Sequence, residues 1–186
     1  VAESLFRRAL ELDPSDPLHA GSYAWFLADR RRDFDAAEAL FERAIQLNPS
    51  DSDTLANYAS LLLTRGDPPS LKRAENFAQT ALKVACPLVS QAVAETLLYL
   101  ALIQEASGSL SPIASLSRLK GAISVDYERG VWDFSTMFES VLPRLLEPKR
   151  KFYEAIGAAI LDPDRIPDLE AMPAWQEITA TDPFAS

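Results

Sequence analysis

AESLFRRALELDPSD, residues 2–16, recurs 35 residues later without a gap as AEALFERAIQLNPSD, residues 37–51. Residues three and four apart share one face of an α-helix, where small alanines let a neighbouring helix approach and phenylalanine fills the space between units. The proline ends each helix, and the Ser-Asp pair after it is suited to cap the next one. The repeat therefore predicts stacked helices. The matching positions are Ala2, Phe6, Ala9 and Pro14 in the first copy and Ala37, Phe41, Ala44 and Pro49 in the second.

This pattern resembles the second helix of a tetratricopeptide repeat, in which A-x3-F is followed by a terminal proline. One full unit then spans residues 18–51, with LHAGSYAWFLADR as its first helix and DAAEALFERAIQLN as its second. Two positions depart from the family pattern. Trp25 stands where the family has a small residue, and Gly21 stands where it has an early tryptophan. We expect helix packing around these two residues to be looser or locally shifted.

The resemblance extends over about residues 1–125 and is strongest over 1–67. It implies a half repeat at 1–14 and repeats at about 18–51, 52–86 and 88–125. The implied fold is all-α, a right-handed superhelix of antiparallel helix pairs. Residues 126–186 resemble no family and predict further helices with a Pro-rich acidic tail, with Asp133 as one N-cap. Because the last repeat of a solenoid needs a cover for its apolar surface, this segment is predicted to be a C-terminal cap.

Composition narrows the classes of function. The 18 basic and 27 acidic residues give a net charge of −9, which disfavours binding to the phosphate backbone of a nucleic acid. Apolar runs are far shorter than the roughly 20 residues that cross a bilayer, so no membrane partner is expected. The single cysteine, Cys86, excludes an internal disulfide and fits a reducing compartment, so we expect a cytoplasmic location.

Few residues of the sequence are of the types that catalyse reactions or bind metal ions. His19 is the sole histidine and Cys86 the sole cysteine, which leaves no Ser-His-Asp or Cys-His arrangement and no histidine- or cysteine-based zinc site. No phosphate-binding glycine loop is present. Asp162 and Asp164 begin a calcium-like loop that has prolines in place of its essential glycine and glutamate. We therefore expect no enzyme activity, no catalytic or metal-binding residue and no cofactor.

A partner-binding groove is what the resemblance implies instead. In the family, the first helix of each unit lines a concave surface that holds a peptide or helix of a partner protein. Asn57 matches a family position that often hydrogen-bonds a bound backbone. The implied lining is His19, Ser22, Tyr23, Phe26, Asp29 and Arg30 from one unit, Asp53, Ala56, Asn57, Ser60 and Leu63 from the next, and Glu95, Leu98, Tyr99 and Leu102 from the last.

This lining combines apolar residues with acidic ones, so we expect a partner segment that is apolar at its anchors and neutral or basic overall. The leading hypothesis is a protein-interaction scaffold. The alternative is a structural or regulatory segment of a larger protein. The chain begins with Val1 and with a second helix that lacks its first, which predicts an upstream helix or self-association through the N-terminal helix.

Overall fold

The computed structural model describes residues 2–85, 91–108, 111–123 and 135–181. Cys86, Asp133 and the predicted boundaries at 86, 88, 125 and 126 lie outside these residues. The helices are α1 (Ala2–Leu12), α2 (Pro17–Phe26), α3 (Phe34–Leu47), α4 (Ser52–Arg65), α5 (Pro68–Val84), α6 (Gln91–Ser107), α7 (Ile113–Ile123), α8 (Ser135–Val141), α9 (Lys149–Leu161), α10 (Ile166–Glu170) and α11 (Pro173–Gln176). A π-helical turn, Leu27–Arg31, follows α2, and 3-10 turns occupy Leu142–Arg144 and Pro163–Arg165.

The described residues contain helices and no strand, and consecutive helices from α1 to α7 pack on one another. The first helices α4 and α6 also pack together, across the second helix α5 that separates them in sequence. This arrangement is a stack of helix pairs, so the predicted all-α, tetratricopeptide-like fold is confirmed.

Aspartates start four successive helices. Asp16, Asp33, Asp51 and Asp67 are the N-caps of α2 to α5, and each side chain accepts a hydrogen bond from a backbone N–H of the first turn. Those N–H groups have no partner within their own helix, so an aspartate oxygen stabilises the start of the helix. The D/N-P-S-D turn of the repeat thus ends one helix and begins the next.

The core between units is built as the repeat predicts. Ala37, Ala44 and Phe41 are buried, and the ring of Phe41 stacks on that of Tyr58 with 5.5 Å between centroids. The equivalent Phe6 is half-buried and packs against the rings of Tyr23 and Phe26. The same side chain is therefore more enclosed in α3, which has helices on both sides, than in α1 at the end of the stack.

A charged network joins three helices next to this core. Glu38 of α3 pairs with Arg73 of α5 at 2.6 Å and with Arg65 of α4 at 3.0 Å. The Tyr58 hydroxyl donates a hydrogen bond to Glu38, and burial together with this carboxylate raises the pKa of Tyr58 well above its usual range. The tyrosine therefore stays neutral and acts as a donor that holds α3, α4 and α5 in register.

The C-terminal third folds back on the repeats. Helix α8 packs on α4, and α9 packs on α6. On α7, the Lys120 ammonium donates to the carbonyls of Trp175 and Ile178, and the backbone N–H of Thr181 donates to the Ser117 carbonyl. These bonds hold the end of the described chain against the last repeat helix. Among the described residues, no helix has both the length and the apolar character needed to cross a bilayer.

Candidate functional site

The predicted groove residues differ in how far water reaches them. Ser22, Arg30 and Asp53 are exposed, and His19, Phe26 and Asn57 are half-buried. Glu95 is half-buried as well. The remaining predicted residues are buried: Tyr23, Asp29, Ala56, Ser60, Leu63, Leu98, Tyr99 and Leu102.

Three of the buried residues lie deep in the core. The family resemblance predicted that Leu63, Leu98 and Leu102 lie on an open surface, whereas the exposed fractions of their side chains are 0–1%. The cause is tertiary: α4 and α6 pack on each other, and α8 and α9 pack on those same two helices. A partner can reach these leucines only where the packed helices separate.

An open cleft remains between the first helices α2 and α4. Its volume is about 310 Å³, and it brings together Ser22, Asp53 and Asn57 of the predicted set. Leu18, at the edge of this cleft, is 65% exposed although it is apolar. An apolar concavity with a few polar groups is the usual form of a recognition site. The complete lining is Phe6, Leu18, Gly21, Ser22, Trp25, Asp51, Asp53, Thr54 and Asn57.

Gly21 and Trp25 both line the cleft. Gly21 is buried, and a side chain there would meet the Thr54 hydroxyl, since an added Cβ would lie 2.8 Å from Thr54 Oγ1. Trp25, one turn later on the same face, carries the aromatic ring and lines the cleft. In the family pattern the large residue comes first and the small one second, whereas here Gly21 comes first and Trp25 second. This departure is the sequence signal by which the position of the cleft could have been found.

The π-helical turn that follows α2 is a second local departure. Leu27–Arg31 forms i→i+5 hydrogen bonds and ends at Arg32, whose φ of 57° is left-handed. Asp29, within this turn, is buried and pairs with the exposed Arg30 at 2.8 Å. The looser or shifted packing predicted for this unit concerned Gly21 and Trp25 within α2, and the wider turn lies directly after that helix.

Acidic side chains concentrate on the first helices next to the cleft. The Tyr99 hydroxyl of α6 donates to Glu95 Oε1 at 2.5 Å. Burial raises the pKa of Glu95 to about 7; the hydrogen bond from Tyr99 lowers it, and the negative charge of Asp53 raises it further. Burial and the Asp51 carboxylate also raise the pKa of Asp53. No ion pair within 4 Å joins Asp53 or Glu95 to a cation in the described part of the chain. At neutral pH the exposed Asp53 therefore contributes negative charge to this surface, whereas Glu95, with a pKa of about 7, is only partly charged.

The groups that line the cleft are suited to binding. His19 lies near the start of α2 with its Nδ1 3.6 Å from Asp16 Oδ2. Within the residues that the structure describes, no group of three or more histidine, cysteine, aspartate or glutamate side chains is placed to hold a metal ion. What the cleft can do is enclose an apolar side chain and attract a positive charge.

Helix pairs stacked in this way, with a cleft between successive first helices, define a helical-repeat protein. Two family models, both described as tetratricopeptide repeat, match residues 1–52 and 40–71. Residues 1–71 are thus similar to tetratricopeptide repeats, and the resemblance seen in the sequence is confirmed over that range. Neither the search of curated proteins nor that of solved structures returned a match. Repeats of this family support a general role in protein–protein interaction.

Proposed function

We propose that this chain is a protein-interaction module whose binding surface is the open cleft between α2 and α4. The observation that carries the proposal is the composition of the cleft: apolar side chains of Phe6, Leu18 and Trp25 beside the carboxylates of Asp51 and Asp53, with no basic residue in its lining. Removing apolar surface from water contributes about 25 cal/mol per Å², before the cost of ordering the partner is subtracted. The acidic edge disfavours an anionic ligand.

The partner we propose is a peptide or helix with one apolar side chain as its anchor and a lysine or arginine beside it. Trp25 and Leu18 would contact the anchor, and Asp53 would attract the cation. The Asn57 amide has both a donor and an acceptor for the partner's backbone. Fully desolvated anchors carry most of the binding energy in such interfaces, whereas exposed charge pairs contribute little.

The test begins with peptides selected from a random library on the wild-type chain, whose consensus should pair an aromatic or aliphatic residue with a basic one. For a selected peptide, Trp25→Ala is expected to weaken binding at least about tenfold, about 1.4 kcal/mol, and Asp53→Asn only about threefold. Fluorescence anisotropy titrations measure both. Raising the salt concentration should weaken binding modestly.

Asp168→Asn is the matched control, because it removes an exposed carboxylate far along the chain, paired with Arg165. It should leave affinity unchanged. Wild-type affinity in the Trp25→Ala variant, or a consensus rich in acidic residues, would show that the cleft is not the binding surface.

The second candidate function is a structural segment that self-associates through the N-terminal helix. It is favoured by Leu5 and Leu12 of α1, which are apolar and 64% and 69% exposed. Sedimentation of the chain over a range of concentrations distinguishes the two functions. A dimer that Leu5→Glu dissociates supports self-association, and a monomer at all concentrations excludes it for this chain.

A further inference from the structure

Residues 138–145 present one apolar face. Phe138, Val141, Leu142 and Leu145 are all buried, and they stand at positions i, i+3, i+4 and i+7. Phe138 and Val141 lie in α8, Leu142 begins the 3-10 turn, and Leu145 follows that turn in extended backbone. On the opposite side, Glu139 is exposed. The segment is therefore a short helix and a turn that together bury one apolar face, as a peptide ligand does in a groove.

The surface that this face meets belongs to the first helices. α8 packs on α4, and α9 packs on α6. Arg144 donates from Nη1 to the Leu63 carbonyl at 2.9 Å and from Nη2 to the Thr64 carbonyl. Both carbonyls belong to the last turn of α4, where carbonyl groups have no partner within the helix and a positive charge is favoured. Lys149 forms an ion pair with Glu105 near the end of α6.

The junction between segment and repeats is not closely packed throughout. A cleft of about 540 Å³ remains there, with Gly66, Leu71 and Glu105 on the repeat side and Leu145 and Pro148 on the other. This cleft is open to solvent, so this part of the junction lacks the close contacts found in the core around Phe41. Moreover, α8 has seven residues, too few for a helix to be stable without the surface on which it lies.

We propose that residues 135–149 are an internal ligand of α4, held also to α6 by the Lys149–Glu105 ion pair, and that a partner segment with the same order of apolar residues and an arginine directly before the last of them exchanges with it. The exchange would uncover the part of α4 where Leu63 lies. This surface is separate from the cleft between α2 and α4, so the proposal stands or falls independently of the binding proposed there. A tethered ligand competes at an effective concentration in the millimolar range, which keeps weaker partners out.

The test uses the full chain and a fluorescent peptide of sequence STMFESVLPRLLEPK, a copy of residues 135–149. Arg144→Ala weakens the internal ligand but not the added one. The fraction of open molecules rises, and the apparent affinity rises with it. We expect the peptide to bind Arg144→Ala about tenfold more tightly than the wild type. Arg150→Ala is the matched control, since Arg150 directly follows the segment and pairs with Glu147 at 3.3 Å. It should bind the peptide as the wild type does.

A second variant opens the segment by a different route. An added Cβ at Gly157 of α9 would lie 2.5 Å from Cε1 of Phe138, so Gly157→Ala should push α8 away while leaving residues 2–85 unchanged. It too should bind the peptide more tightly. In the wild type, hydrogen exchange should be faster for the amides of α8 than for those of α4.

Equal, weak binding of the peptide to the wild type and to both variants would overturn the proposal. So would cooperative unfolding of the whole chain in either variant, or exchange of α8 and α4 amides at one common rate. Each of these results would mean that residues 135–149 stay packed on the repeats as part of the core and do not exchange with a partner.

Discussion

Replacing Phe41 by alanine is expected to lower the free energy of unfolding by about 3–5 kcal/mol. Phe41 is 0% exposed and stacks on Tyr58, which is itself fully buried. Removing the ring loses the contacts of α3 with α4 and leaves a cavity that rigid neighbouring helices fill only in part. Urea unfolding followed by circular dichroism at 222 nm measures the loss.

The repeat itself supplies the matched control. Phe6 occupies the equivalent position in α1 but is half-buried, so Phe6→Ala removes the same atoms at a smaller cost, roughly 1–2 kcal/mol. A larger loss at Phe6 than at Phe41 would contradict this account of the stack. So would a change at Phe41 below about 0.5 kcal/mol, the scale of ordinary surface substitutions.

Replacing Glu95 by glutamine is expected to stabilise the chain at pH 8 by on the order of 2–3 kcal/mol and to have little effect at pH 4. In the unfolded chain this carboxyl loses its proton near its usual value of 4.5, whereas burial raises the pKa in the folded chain to about 7. The stability associated with the neutral form is fully present below pH 4.5 and is lost as pH rises through 7. Glutamine is neutral at every pH and still accepts the hydrogen bond from Tyr99.

Unfolding at pH 4, 6 and 8 measures this effect as the difference between the variant and the wild type, which removes the contribution of the other carboxylates. Glu139→Gln, at an exposed position of α8, is the control and should show no such difference. A gain that is the same at all three pH values would mean that Glu95 is ionised throughout this range.

Much of the fold is predictable from the sequence because its signals are local. The Ala-x3-Phe spacing determines which face of α3 is buried, and aspartates such as Asp51 mark where helices begin. These effects act within one or two turns of a helix, so a single stretch of sequence contains the information. The departures at Gly21 and Trp25 predicted a local change of packing, and both residues line the cleft.

The candidate site is less predictable because it depends on contacts between distant parts of the chain. Sequence position assigned Leu63 and Leu98 to an open groove, yet both are buried on helices against which α8 and α9 pack. Arg144 reaches the Leu63 carbonyl across 81 positions of sequence, and no spacing rule links such a pair. Ser22, Asp53 and Asn57 meet at one cleft because α2 and α4 lie side by side.

The sequence by itself determined that this protein is a stack of helix pairs, tetratricopeptide-like over residues 1–71, because helix periodicity, proline stops and aspartate caps act between near neighbours. Only the tertiary structure decided which part of the first-helix surface stays open. The helices after residue 134 bury their apolar faces against α4 and α6. The cleft beside Trp25 was left uncovered. Which surface is covered depends on how the whole molecule buries its apolar area, and a local sequence pattern does not contain that information.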